Sequence, residues 1–153
     1  MPHIHEKIDY AADTYIVNGN TVLLRMHDKS GAWFPPGGHI ELDEDPEEAA
    51  IREVKEEVGL QVELIGDRLP DLDDAERELI SPRYVNRHRI NDTHEHVSFI
   101  YFARSDSREI RPGPGEKEVE MRWFTKEELR DPQFGVRPRI VRYALAALDT
   151  LGA

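Results

Sequence analysis

The chain contains no cysteine, which removes disulfide frames, thiolate zinc sites and cysteine nucleophiles while leaving the compartment open. It also has no apolar run approaching the roughly 18 to 20 residues that a membrane span requires. Basic residues are in deficit: 20 Lys and Arg face 31 Asp and Glu, for a formal charge of −11. A surface that tracks a nucleic-acid backbone displaces counterions with clustered Lys and Arg, so polymeric DNA or RNA is not an expected partner. A small anionic substrate stays compatible, because a bound cation inverts the local field of an acidic cleft. The opening MPHIHEKIDYAADTY has no basic start followed by an apolar core, so cytoplasm is the expected compartment.

What is present fits one soluble domain spanning residues 1–153, with 39% hydrophobic and 33% charged residues. Two β-branched apolar runs flank Asn18-Gly19-Asn20, a turn signal, and predict strands near 11–17 and 21–26. Trp33-Phe34 suits a short strand, whereas Pro35-Pro36-Gly37-Gly38 reads as a bend that continues no regular element. Further strands are expected at 62–67, 96–104 and 119–124, and one more inside the polar segment 68–95, which reads as a loop or insertion over the site. Thr125 with Glu128 three residues on forms a capping-box signal for a short helix. From Pro138 to Leu151, Ile140, Val141, Ala144, Leu145, Leu148 and Leu151 recur at helical spacing and predict a packing helix. Strands, helix, strands, helix in this order imply an α/β class, a mixed sheet with helices on its faces.

The most informative stretch is GHIELDEDPEEAAIREVKEEVGL, from Gly38 to Leu60. Asp45 as N-cap, Pro46 at the first helical position and Glu48 at the third predict a helix start, and Gly59 predicts its stop. Within that helix Glu53, Glu56 and Glu57 stand at i, i+3 and i+4, opposite an apolar side carrying Ile51, Val54 and Val58. Three carboxylates this close repel one another, and a hard divalent cation with oxygen ligands offsets that repulsion. Arg52 lies between the two faces, where its fork can pair with Glu44 or a helix carboxylate and hold it in place. A Glu-rich helix face is ordinarily solvated surface. Here Gly38, Glu44, Arg52, Glu53, Val54, Glu56, Glu57, Gly59 and Leu60 satisfy one spaced pattern, a coincidence below roughly one in 10⁵ for a chain of ordinary composition.

Those residues match without departure the pattern of the Nudix hydrolases, which the segment therefore resembles. The resemblance implies an α/β/α sandwich with a mixed central sheet. It also implies hydrolysis of a nucleoside diphosphate linked to another group, with Mg²⁺ or Mn²⁺ as cofactor. Carried over by position, Glu53, Glu56 and Glu57 look like metal ligands, the backbone carbonyl of Gly38 a further ligand, and Glu44 with Arg52 the supporting pair. The base that takes the water proton is expected to be Glu56 or Glu57, or an acid of a later loop, where Glu116, Glu118 and Glu120 are candidates and Glu118 is preferred.

Substrate selection must come from outside the motif. Phe34 and Tyr84 adjoin irregular segments and are the preferred aromatics for stacking on a base; Trp33, Phe99, Tyr101 and Phe102 read mainly as core. Arg25, at a strand end before the glycine-rich bend, is the preferred phosphate contact, with Arg83, Arg87 and Arg89 behind it. His88, His94 and His96, with Asp92 between them, suggest imidazole metal binding, but no third ligand at fixed spacing is evident and the structural reading is stronger. His3 and His5 read as solvated, and His39 as lining the cleft. The leading account is a pyrophosphohydrolase of a small nucleotide, a nucleoside triphosphate in oxidised or ordinary form. ADP-ribose, a nucleotide sugar or a dinucleoside polyphosphate is the alternative. A non-hydrolysing nucleotide sensor or a metal-free structural domain competes with both, and a homodimer is compatible with all of them.

Overall fold

The computed structural model describes residues 7–27 and 29–153, so His3 and His5 lie outside the described residues. Among the described residues, eight strands form one mixed sheet: β1 (Ile8–Asn18), β2 (Thr21–Met26), β3 (Trp33–Phe34), β4 (Gly37–His39), β5 (Glu63–Ile65), β6 (Tyr84–Asn91), β7 (His94–Arg104) and β8 (Met121–Phe124). The helices are α1 (Pro46–Val58), α2 (Lys126–Arg130) and α3 (Pro138–Leu151), with a 3₁₀ turn at Pro132–Phe134. The strand path runs β3-β2-β1-β7-β5, with β4 on β1, β6 on β7 and β8 on β2. Its spine is the parallel pairing of β1 with β7, continuous from Ile8 opposite Glu95 to Val17 opposite Arg104.

Both faces of the spine are apolar because both are covered, as expected where a parallel pair is buried. On one face Ala12, Ile16, Leu23, Tyr101 and Ala103 pack against Ala49, Ala50, Val54 and Val58 of α1. On the other, Tyr15, Val17, Leu24, Ile100, Phe102 and Phe124 pack against Ile140, Tyr143, Ala144, Ala147 and Leu148 of α3. The result is the expected α/β/α sandwich. No helix among the described residues is long and apolar enough to cross a membrane.

Two details depart from expectation. Gly37 and Gly38 do form a strand: Ala12 pairs with Gly38 and Asp13 with Gly37, antiparallel, so the edge of β1 imposes extended backbone on residues whose composition signals only a bend. Ile51 is 41% exposed instead of core, and the buried side of α1 rotates onto Ala49, Ala50, Val54, Glu57 and Val58. The segment after β5 lies over the start of α1 as an insertion, and its Arg77 lines one groove with Arg52 and Glu56. It docks on the helix's first turn, where Glu47 accepts from Arg68 Nη2 at 2.6 Å, Arg77 Nη2 at 2.8 Å and the Ile80 N–H at 2.9 Å.

Candidate active site

Local sequence sets α1 in place at both ends. Asp45 accepts from the Glu48 N–H at 2.8 Å while the Glu48 side chain accepts from the Asp45 N–H at 3.1 Å, so two otherwise orphaned donors are satisfied reciprocally. At the other end Gly59 adopts φ +68°, and a Cβ there would lie 1.9 Å from the Arg111 carbonyl oxygen. Only glycine permits both the left-handed cap and that approach. The loop that approaches, between β7 and β8, caps the helix further: the Arg111 N–H donates to the Val58 carbonyl at 2.8 Å and the Gly113 N–H to that of Glu56 at 2.7 Å. Three residues past Gly113 this loop brings half-buried Glu116 to the acids of α1.

The acids of α1 are not equivalent. Glu57 faces the sheet and is only 8% exposed, contrary to a position on the side away from the core. Its Oε2 accepts from Arg25 Nη1 and its Oε1 from the Gly37 N–H, each at 2.7 Å. Burial pushes its carboxyl up to about 8 against the opposing pull of Arg25, with the charges of Glu53 and Glu116 adding to the rise. Glu53 is raised as well, by burial first and then by Glu56 and Glu116, against Arg52. Glu56 is half exposed and reaches Arg52 at 3.3 Å.

Arg52 ties the motif together. Its Nε and Nη2 donate to the two oxygens of Glu44 at 2.7 and 3.0 Å, Nη1 donates to Glu53 at 2.9 Å, and Nη2 also donates to the His39 carbonyl at 3.0 Å. The Arg52 hydrogen bonds hold the Glu44 carboxyl below its ordinary range. The expected supporting pair thus exists as a bidentate fork, which only a planar guanidinium can form.

Gly38 is needed for space: a Cβ on it would fall 2.4 Å from Glu53 Oε1. The backbone of β4 and the Glu53 carboxylate can approach each other only without a side chain there. Gly38→Ala therefore displaces Glu53, and because the obstructed atom is the end of a flexible side chain the fold absorbs it. The expected result is a Tm change worth under about 1 kcal/mol beside a loss of kcat/KM of about tenfold or more, measured on the same preparation. Unchanged kinetics would show that the Gly38–Glu53 approach is dispensable.

The donor set suits a hard divalent cation: three carboxylates in one electrostatic group, two of them raised by burial and mutual repulsion, beside a backbone carbonyl. Arginines now divide these acids, Glu57 toward Arg25 and Glu53 with Glu56 toward Arg52.

Other expected residues fall elsewhere. Arg25 is engaged by Glu57, and its Nε is buried with no hydrogen-bond partner among the described residues. An orphaned buried donor costs about 1–3 kcal/mol, and the same guanidinium holds Glu57 through Nη1. Phe34 packs at the edge of the α3-side core under the Arg137 guanidinium, 5.6 Å from its ring. Tyr84 is 44% exposed and leans on Tyr143 and Phe102 at 5.6 and 6.1 Å between ring centroids. Glu118 and Glu120 are exposed; the loop acid whose charge reaches both Glu53 and Glu57 is Glu116. Asp13 went unnoticed in the sequence. This acid on β1, raised to about 6 by burial and tempered by Arg139 and a Ser98 hydrogen bond, sits against Gly37, where a Cβ would lie 2.1 Å from its Oδ1. The available signal was an acid inside a largely apolar strand.

Comparison with known proteins follows this geometry. The model of the NUDIX domain matches residues 7–144. A solved hydrolase of the NUDIX family from Clostridium perfringens superimposes with a TM-score of 0.82 at 35% identity, covering 93% of this chain and 97% of that one. An m7GpppN-mRNA hydrolase of Xenopus laevis is 36% identical over 90 residues, 50% of this chain and 30% of that protein. An RNA pyrophosphohydrolase of Marinomonas sp. is 63% identical over 66 residues, 36% of this chain and 41% of that protein. The matches thus span less than half the length of these two relatives.

Proposed function

The chain belongs to the NUDIX family of hydrolases, which act on phosphoric anhydrides, and from that premise we propose that residues 1–153 act as one pyrophosphohydrolase domain for a small nucleotide, a nucleoside triphosphate first of all. The observation that carries the reading is Glu57, a buried carboxyl raised to about 8 that is held by Arg25 and the Gly37 N–H beside Glu53. At about 8 this carboxyl stays protonated over most of the neutral range, and a divalent cation beside it would favour the ionised form, which can serve as a ligand or take a proton from water.

Glu53, Glu56, Glu57 and the Gly38 carbonyl would hold Mg²⁺ or Mn²⁺. When bound, that ion neutralises phosphate oxygens and acidifies water. Arg52 fixes Glu53 and Glu56 through its fork to Glu44, and Arg25 orients Glu57. Glu116, not Glu118, is the loop acid we assign to the site, because its charge reaches both inner carboxylates. A groove of about 740 Å³ along α1, lined by Glu48, Arg52, Lys55, Glu56, Gly113 and Pro114, opens beside these groups. Tyr84 lies with Asp13 and Arg139 on the α3 side of the sheet, across it from this groove, and offers the base a stacking surface and polar partners there.

The two curated relatives are named for RNA substrates. A chain of net charge −11 lacks the cationic surface that a polymer calls for, which favours the small nucleotide. A phosphate-release screen with Mg²⁺ over nucleoside triphosphates, ADP-ribose, nucleotide sugars, dinucleoside polyphosphates and a 5′-triphosphate RNA decides between these classes. The expected result is the highest kcat/KM on a nucleoside triphosphate. A higher value on the RNA would overturn the substrate assignment, and no turnover of any of them would overturn the hydrolase reading.

A further inference from the structure

The histidines of the β6–β7 hairpin lack a third ligand in sequence, and the fold supplies two more from other strands. β7 places His94 and His96 on one side; parallel pairing sets Asp9 of β1 opposite His96, and β4 sets His39 opposite Ala11. Side chains of alternate residues share a face, so Asp9, His39, His94 and His96 meet on the α3 side of the sheet, away from the helix carboxylates.

We propose that Asp9, His94 and His96, with His39 beside them, form a second metal site, for one divalent transition ion of the zinc type. Asp9 is 5% exposed, and its Oδ2 lies 2.9 Å from His94 Nε2 and 3.7 Å from His39 Nε2. His39 Nε2 in turn lies 3.2 Å from His96 Nε2. Ligand atoms at ordinary zinc bond lengths in a tetrahedron stand about 3.3–3.5 Å apart, and the three separations bracket that value. One ligand atom from each of Asp9, His94 and His96 falls within 4.8 Å of the other two. A plain ion pair with Asp9 would need one imidazole, whereas three converge here from two strands. Imidazole nitrogen with one carboxylate oxygen is a donor set that suits zinc and its neighbours more than magnesium. A bound ion would cross-link β1, β4 and β7 two residues from Gly37, whose N–H holds Glu57, and this inference stands whether or not the nucleotide assignment does.

The test is calorimetric titration of the full chain with Zn²⁺ in excess Mg²⁺, repeated with Co²⁺ to read the tetrahedral d–d absorption. One ion is expected to bind with micromolar affinity or better and to raise Tm by roughly 5–10 °C at a hundredfold excess over Kd. Asp9→Asn/His96→Ala should weaken binding at least tenfold and abolish the tetrahedral Co²⁺ spectrum, while Glu53→Gln, which removes a helix carboxylate, should change neither. If the double variant does not fold, His94→Gln gives the same reading. Absence of binding, binding unaffected by the strand substitutions, or loss in Glu53→Gln would each overturn the site.

Discussion

Glu57→Gln lowers turnover by roughly 10²–10⁴-fold, the range for loss of a positioned acid-base group, with the native fold retained. Glutamine preserves the shape and one acceptor oxygen, so it keeps one of the two contacts with Arg25 and the Gly37 N–H, and steady-state kinetics should collapse while the circular dichroism spectrum stays the same. The same variant carries a second signature. A carboxyl raised from 4.5 to about 8 in the folded state binds its proton more readily there than in the unfolded chain. Its contribution is therefore fully present below about pH 4.5 and is lost as pH rises through about 8. In EDTA the native protein should lose stability across that window, and Glu57→Gln should flatten the loss. Normal turnover by the variant, or a pH profile of unfolding identical to that of the native chain, would remove Glu57 from its assigned role.

Arg52→Ala has the second largest expected effect, because one guanidinium serves Glu44, Glu53, Glu56 and the His39 carbonyl. Deleting it leaves Glu44 and Glu53, both mostly buried, without their counter-charge. Breaking a fully buried pair costs about 3–5 kcal/mol; with Arg52 itself 24% exposed, about 2 kcal/mol is the fitting figure. For a chain of this size that lowers Tm by roughly 4–8 °C. Activity should fall by about a hundredfold, since the carboxylates lose their orientation. Arg52→Lys restores charge without the fork and should recover little of either. Full recovery by lysine would show that charge alone, not the bidentate geometry, is what the motif requires.

The helix of the motif was legible because its signals are local: Asp45, Pro46, Glu48 and Gly59 fix both ends through hydrogen bonds and dihedral preferences within a few residues. The Thr125–Glu128 box and the apolar spacing of the last helix read correctly for the same reason. β4 was not legible, since its extended backbone comes from pairing with β1, a long-range cause acting on Gly37 and Gly38. Nor was the burial of Glu57, which follows from the rotation of α1 onto the small side chains Ala49 and Ala50.

By itself the sequence determined the family, the α/β/α layering and the identity of the spaced carboxylates, because capping, periodicity and motif spacing are properties of neighbouring residues. Only the tertiary structure decided which acid is buried, that Arg25 grips it, that Glu116 is the loop acid which reaches it, and that Asp9 and His39 join His94 and His96. Each of these depends on strand register across a sheet, where residues far apart in the chain are brought within a few ångströms and the surrounding burial sets their charge.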